Sequence, residues 1–587
     1  MSAFLPRFDP NPDRRGAGLD RARSTYRYNY THVSPLAVLD RVPFEQEFSA
    51  EWLLTVGKTV SVAMSNRLQL EGEKPLAEMF RAKVKALDHI IGLGSELFLG
   101  ALHEMVTDML RFKGRTSAQP DRARSLEDYA ALFRSIGLPP ISARTGDADA
   151  FAEMRLAGPN PVMLQRIDRP DVRLPLSEAQ FRLSIPGDSL AAAAAEGRLF
   201  LVDYQKLEKI EGSPGPDGLQ KHLYAPLALF AIDRTTRRLR PVAIQCRQAP
   251  GADNPVFTPD DGPNWTIAKT IVEIADGNLH EAVTHLARTH LLMEPFVISA
   301  HRQLAANHPV MVLLWPHFEG TLAINDASWQ HLIADKGAVA RLLGGSIDES
   351  RGLAADGVRT CNFRESVLPR SLRARGVADS TWLENYPYRD DALLYWDAIG
   401  RWVLDYLNLY YPSDEEIGRD AELLAWIDEI GAADGGRIAG FERAPSATIA
   451  GLAEALTMIL YTCSVQHAAV NFPQYSLMSY TPHMPLAGYA PAPRSKQAGT
   501  EADLLALLPP LDVAELQMEL GFILGSIHYT TLGQYRAGHF ADPRVAEPLR
   551  LFQVRLDEIG DVIAVRNTVR TPYEFLSRSG IPQSINI

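Results

Sequence analysis

Residues 278–290, NLHEAVTHLARTH, carry three histidines at intervals of five: His280, His285 and His290. An α-helix brings residues three or four apart onto one face, and the two ligands of an H-E-x-x-H zinc helix use that spacing. Five steps at 3.6 residues per turn rotate a side chain by roughly 140°. Two arrangements are open: the histidines face different ways, or the helix is irregular here. A π turn, with i→i+5 bonding, brings residues five apart together and often marks a functional site. On such a turn His285 and His290 can both point at one metal ion. For any single histidine in this apolar run, from about Trp265 to Ala305, a hydrogen-bonded core role is the competing reading.

A second group follows at 463–475, CSVQHAAVNFPQY. His467 and Asn471 stand four apart, so a regular helix puts them on one face. Both offer neutral ligand atoms, an imidazole nitrogen and an amide oxygen. Asparagine is an unusual metal ligand, and a buried hydrogen-bonded pair is the alternative. The chain closes SRSGIPQSINI on Ile587. Exposed termini commonly end in polar, disordered residues. A Gly-Ile-Pro turn and two isoleucines instead point to an end that tucks inward. A buried α-carboxylate must be satisfied, and a metal ion would do so.

Charge and cysteine usage narrow the setting. A net charge of −12 disfavours nucleic acid and gives no general attraction to anionic membranes. Cys246, Cys361 and Cys463 form no CxxC and no paired framework, which suits a reduced compartment. The N-terminus lacks a charged segment followed by an apolar one, so no secretory signal is expected. No charge-free apolar run reaches about 18 residues, so no membrane span is expected. The expected location is cytoplasmic.

The organisation reads as mainly α. Residues 1–35 read as an irregular arm rich in Pro, Arg, Asp and Tyr. Residues 36–112 carry apolar positions at helical spacing, in 47–68 and again in 76–112. Residues 113–125 and 138–185 read as connections. GRLFLVDYQKL, 197–207, is strand-like, and LALFAIDRTTRRLRPVAIQC, 227–246, reads as a hairpin. From 265 onward helix dominates, including a core helix in 391–411, and 489–503 reads as an exposed loop. The expectation is one large helical domain, 36–587, with a small β-sheet appendage.

These segments together resemble the lipoxygenase family. The resemblance runs from about 180 to the end. It rests on 265–309 around the histidines, on VLPRSLRARGV and YPYRDDALLYWDAIGRWVLDYLNLYY, on HAAVNFPQY, and on the terminal GIPQSINI. It implies the helical lipoxygenase catalytic domain. With no evenly stranded N-terminal module, the chain resembles the shorter bacterial forms that lack a membrane-docking β-barrel. In those terms 52–64, WLLTVGKTVSVAM, is a candidate lid or lipid-contacting helix, with ordinary core packing as the alternative.

The resemblance implies a shell of one non-haem iron built from His285, His290, His467, Asn471 and the carboxylate of Ile587. Manganese is the less favoured metal. His280 matches a nearby histidine that is not a ligand, and His301, His308 and His317 read as structural. Gln474 matches a glutamine behind the shell. The position after His280, often glutamine in plant relatives, is Glu281 here, which alters one link between substrate pocket and metal shell. Three imidazoles, one amide oxygen and one carboxylate carry a single negative charge, so ferric iron in such a shell is a good one-electron oxidant. By contrast, a 2-His-1-carboxylate centre leaves open positions for direct oxygen chemistry.

The implied reaction is dioxygenation of a polyunsaturated fatty acid of the linoleic or arachidonic class. A hydrogen atom leaves a bis-allylic methylene, O2 adds to the radical, and a conjugated hydroperoxide results. Ser328 falls where relatives commonly carry Ala for S products and Gly for R products. Its bulk is nearer alanine and favours S. Leu332 matches an apolar clamp over the reacting pentadiene. The expected partners are the fatty acid and O2, with no nucleic acid, a peripheral membrane contact, and a monomeric state. Two other readings share the ligand set: a hydroperoxide isomerase or lyase, and a non-catalytic lipid-binding relative.

Overall fold

A computed structural model describes residues 3–72, 121–210, 212–215, 218–497 and 499–587. The helical stretch expected at 76–112 lies outside the described residues. The molecule is organised around one long central helix. It begins as α-helix over Pro263–Leu279, continues as π-helix over His280–Leu291, and returns to α-helix over Leu292–Gln303. Pro263 starts it, a residue suited to a first turn that has no use for its N–H. Apolar residues surround it on all sides, so it can be stable only inside the protein. Nearly every residue from Asn264 to His301 is buried.

Neighbouring helices wrap this axis. Ile347–Arg359 lies along the π segment, and the approach depends on Gly357, where a Cβ would come 2.7 Å from that of Ala287. A second interrupted helix runs as Ile449–Tyr461, a π turn at Thr462–Gln466, and His467–Asn471. It packs on Pro387–Leu407, the core helix expected within 391–411, which in turn packs on Ala546–Arg566. The span Ile449–Met478 is apolar and long enough to cross a membrane by length and composition, but it is mostly buried. One continuous apolar core extends from Leu5 to Ile587.

The β appendage is a five-stranded antiparallel sheet in chain order. A two-residue ribbon, β1 (Tyr28–Asn29) and β2 (Val38–Leu39), precedes it. Its strands are β3 (Gln165–Ile167), β4 (Leu199–Asp203), β5 (Leu227–Ile232), β6 (Leu239–Gln245) and β7 (Val256–Phe257). The hairpin expected at 227–246 is β5–β6. β5 is buried at every position because both faces are covered. Phe200, Val202, Ala228 and Phe230 join the main core. Leu199, Leu201, Leu227 and Leu229 join a smaller cluster with Phe181 and Ile185.

Two expectations require correction. The arm at 1–35 is not irregular throughout, since Pro12–Thr25 is a helix. Its sequence hides this because polar anchoring replaces an apolar stripe. Arg15 is buried, donating from Nε and Nη2 to Glu422 at 2.6 and 2.8 Å and from Nη1 to Asp9 at 2.8 Å. The connections at 138–185 also contain helices, Ala148–Ala157 and Glu178–Ser184, and the strand β3. The 52–64 segment lies in the helix Ala50–Leu70, capped by Ser49 and packed against Leu511–Ser526. Trp52, Leu53, Val56, Val60 and Ala63 are buried there, and Trp52 Nε1 donates to the Asn586 carbonyl at 2.7 Å.

Candidate metal centre

The five-residue histidine spacing is a π-helical spacing. The whole stretch His280–Leu291 is π-helical, and Thr289 Oγ1 donates to the carbonyl of Thr284, five residues back. The wider turn places His285 and His290 on one side, with Nε2 to Nε2 at 3.2 Å. His467 joins them from the second interrupted helix, and one ligand atom from each of the three lies within 4.8 Å of the others. Five-residue spacing therefore converges on one point, as a regular helix could not make it do.

The chain end closes the group. Residues 581–587 are all buried. Ser584 Oγ donates to the Glu319 carbonyl at 2.7 Å, and the Ile585 carbonyl accepts from Thr321 Oγ1 at 3.1 Å. The turn carrying these partners passes through Gly320, at φ +82°, where a Cβ would stand 3.0 Å from that of Asn586. The tail is thereby threaded into the core, and a terminal oxygen of Ile587 lies 3.1 Å from His467 Nε2. Asn471 is buried one turn beyond His467. Its Nδ2 donates to the Leu524 carbonyl at 2.7 Å, and its Oδ1 accepts from Gln474 Nε2 at 2.9 Å. One Oδ1 lone pair remains for another partner.

Hydrogen bonds set the tautomers. Asn325 Nδ2 donates to Glu294 Oε2 at 2.7 Å, so its Oδ1 is the acceptor for His290 Nδ1 at 3.0 Å. Glu294 Oε1 accepts in turn from the Leu39 amide at 2.7 Å. His285 Nδ1 faces Glu281 Oε2 at 3.5 Å, and Glu281 Oε1 lies 3.3 Å from His280 Nδ1. With their protons on Nδ1, the Nε2 lone pairs of His285 and His290 face each other. Burial lowers the His285 and His290 pKa values, and pushes that of His467 down to about 3. All three are neutral and free to coordinate a metal. Burial alone would raise the Glu281 carboxyl, but His280 and then His285 outweigh it and hold it well below the usual range.

A narrow cavity opens on this cluster. Its walls include Glu281, His285, His290, Ser328, Leu332 and Ile587. Its free volume is about 80 Å³, space for only a few water molecules. Ser328–Leu332 is itself a π turn, continuing the helix that carries Asn325. Gln474 does not line the cavity; its Nε2 donates to Asn471 Oδ1 behind it. The other histidines stand apart: His280 Nε2 lies 2.7 Å from the Val470 carbonyl, and His301 stacks on Tyr26. His308 pairs with Asp420, and His317 with Tyr535. Sequence reasoning missed Asn325 and Glu294. Glu294 stands four residues after His290, a visible helical spacing, whereas Asn325 is distant in sequence and had no local signal.

The lipoxygenase family model matches residues 145–580. The chain belongs to the lipoxygenase family. It is 41% identical over 503 residues to a linoleate 9/13-lipoxygenase of Pseudomonas aeruginosa, covering 82% of this chain and 73% of the relative. It is 35% identical to the human polyunsaturated fatty acid lipoxygenase ALOX15B, covering 79% of this chain and 69% of the relative. The mouse hydroperoxide isomerase ALOXE3 is 34% identical, over 74% of this chain and 62% of its own length. Among solved structures, a lipoxygenase in complex with arachidonate superposes with a TM-score of 0.85 at 27% identity, covering all of this chain and 84% of the other. The helical lipoxygenase fold is therefore present, and the protein is a fatty acid dioxygenase. Its histidine cluster can hold a metal ion.

Proposed function

We propose that His285, His290, His467, the Asn471 amide oxygen and the Ile587 carboxylate hold one non-haem iron, and that the enzyme dioxygenates polyunsaturated fatty acids of the linoleic or arachidonic class. One observation carries the metal assignment: two Nε2 lone pairs face each other at 3.2 Å. Two lone pairs so placed repel unless a cation lies between them. The separation also suits a shared ion, since two nitrogens each about 2.1 Å from one metal at a right angle stand about 3 Å apart. The remaining donors complete a buried set of three imidazoles, one amide and one carboxylate, which matches a redox metal better than hydrolytic zinc.

When bound, iron would supply the one-electron oxidation that removes a hydrogen atom from a bis-allylic carbon. The protein does the rest. Asn325 and Glu281 hold the imidazoles of His290 and His285 with Nε2 inward. Gln474 and the Leu524 carbonyl orient the Asn471 amide from both ends. Leu332 presents an apolar surface to the pentadiene, and Ser328 sets the room on the same wall. The cavity, as it stands, is too small for a whole C18 chain, so substrate entry must move its aliphatic walls.

The test uses untagged protein with metal measured by elemental analysis. Linoleic and arachidonic acids are supplied in air, and O2 uptake is followed with conjugated-diene absorbance. Stoichiometric iron with both signals rising is the expected result. Iron present without O2 uptake, together with consumption of added hydroperoxide, would move the assignment to an isomerase, the activity named for the ALOXE3 relative. A protein purified without iron that binds none on addition would end the metal reading.

A further inference from the structure

A second cavity, of about 620 Å³, lies against a different face of the π-helical segment. It shares no lining residue with the cavity at the histidines: Val283, Thr284, Arg288 and Thr289 face it, where Glu281, Ala282, His285 and Leu286 face the first. Its size is that of a site for a medium-sized organic ligand. Part of its wall is apolar, formed by Met163, Val283, Leu292, Leu368 and Met458.

The polar part of the wall has an excess of cations. Lys206, Arg288 and Arg375 all line it. Partial desolvation, then the Arg288 guanidinium, lower the Lys206 ammonium, so the two cations act on each other. Arg288 enters no ion pair among the described residues, and its Nε is buried without a hydrogen-bond partner. Arg375 spends Nη1 on the Leu164 carbonyl at 3.1 Å and on Tyr386 Oη at 3.2 Å, leaving Nε and Nη2 buried and unpartnered. Thr462, 1% exposed and also on this wall, leaves its Oγ1 unpartnered. Of the two carboxylates present, Asp203 is engaged by Arg173 at 2.8 Å and by Gln248 at 3.0 Å, leaving Glu365 at the exposed margin. Buried guanidinium nitrogens without acceptors, here Arg288 Nε and Arg375 Nε and Nη2, are costly, and an anion within reach lowers that cost.

We propose that this cavity binds a fatty acid as a second, non-reacting ligand, its carboxylate on Arg288 and Arg375 and its chain along Val283, Leu292, Leu368 and Met458. A carboxylate on an aliphatic chain is the ligand chemistry that answers both halves of the wall. Occupancy touches both metal-bearing helices. Thr284, Arg288 and Thr289 flank His285 and His290, and Thr462 opens the π turn that ends at Gln466, next to His467. The inference concerns binding alone and stands apart from the dioxygenase reading.

Diazirine-tagged palmitate tests it on the full chain. Palmitate has no bis-allylic methylene, so labelling is independent of turnover, and a separate linoleate assay judges the enzyme reading. Photolabel is expected on peptides covering 283–292, 360–371 or 458–466. Untagged palmitate should compete, while methyl palmitate (no anion) and acetate (no chain) should not. Arg288→Gln should reduce the labelling about tenfold, the scale of one lost charge-assisted contact. Should that variant fail to fold, Met163→Trp, which fills the apolar end, carries the test and should suppress the same label. Label confined to 324–343 and 520–524, methyl palmitate competing equally well, or undiminished label in a folded variant would each overturn the proposal.

Discussion

A terminal oxygen of Ile587 lies 3.1 Å from Nε2 of His467, across 120 residues of chain. A carboxylate at that place exists only if the chain stops there. Adding residues after Ile587 converts it to an amide carbonyl and pushes new atoms into a buried site. A C-terminal tag is expected to reduce bound metal and dioxygenase rate together by about tenfold or more. Elemental analysis and O2 uptake on tagged and untagged protein decide it, and a tagged enzyme with full metal and rate would rule out the terminal ligand.

His290 is predicted to be indispensable for the metal. His290→Ala removes one of two nitrogens 3.2 Å apart and opens a hole in a buried shell. The expected product is a folded protein with no tightly held iron. Near-normal iron content would show that the five-residue spacing serves packing instead.

Asn325 is a positioning residue, since it touches His290 rather than the reacting atoms. Asn325→Leu removes the acceptor that keeps the His290 proton on Nδ1. Metal loss to a chelator should become about 10- to 100-fold faster, the range for removal of such a supporting contact. Asn325→Asp should restore retention, because it keeps an acceptor oxygen for His290 and, with the buried Glu294 carboxyl raised to about 7, one proton shared with Glu294 replaces the lost Nδ2 donor. Equal chelator rates in all three proteins would refute the role.

Ser328 should govern product handedness from the cavity wall. Ser328→Gly opens room on that wall and is expected to raise the R fraction of the hydroperoxide, read by chiral chromatography. An unchanged S-to-R ratio would remove Ser328 from the steering of O2.

A pH effect on stability is expected far from the metal. Burial pushes the His301 imidazole down to about 3, where it stacks on Tyr26 and meets Trp315 edge-on. Its folded pKa lies below the unfolded value near 6.5, so the unfolded chain binds the extra proton. Stability is therefore complete above about pH 6.5 and falls as the pH drops towards the folded value. Between pH 7 and pH 5 this one group should cost about 2 kcal/mol. His301→Phe keeps the ring and loses the proton, so its melting temperature should decline less over that interval. Parallel melting curves for the two proteins would contradict the buried neutral state.

Much of the centre was legible because it is written in local spacings. Residues five apart in a long apolar run announce a π turn or nothing, and four apart in HAAVN announces one helix face. The β5–β6 hairpin was equally plain, since two β-rich runs around DRTTRR leave little alternative. The helix at Pro12–Thr25 was not, because Arg15 holds it down through ion pairs with residues distant in sequence, such as Glu422. Periodicity registers apolar faces and is blind to that form of anchoring.

The sequence by itself determined the helical class and the spacings of the candidate ligands along the chain, five apart for His285 and His290 and four apart for His467 and Asn471, because each depends on residue type at short separation. Only the tertiary structure decided which atoms meet. The tail reaches His467 because Thr321, Glu319 and Trp52, all remote in sequence, bind its backbone and Ser584. Asn325 reaches His290 because its helix packs on the central one. The second cavity exists because the β4 region, the central helix and the helix before His467 leave space between them. Contacts of that kind are set by how whole elements pack, and no local pattern in the chain encodes them.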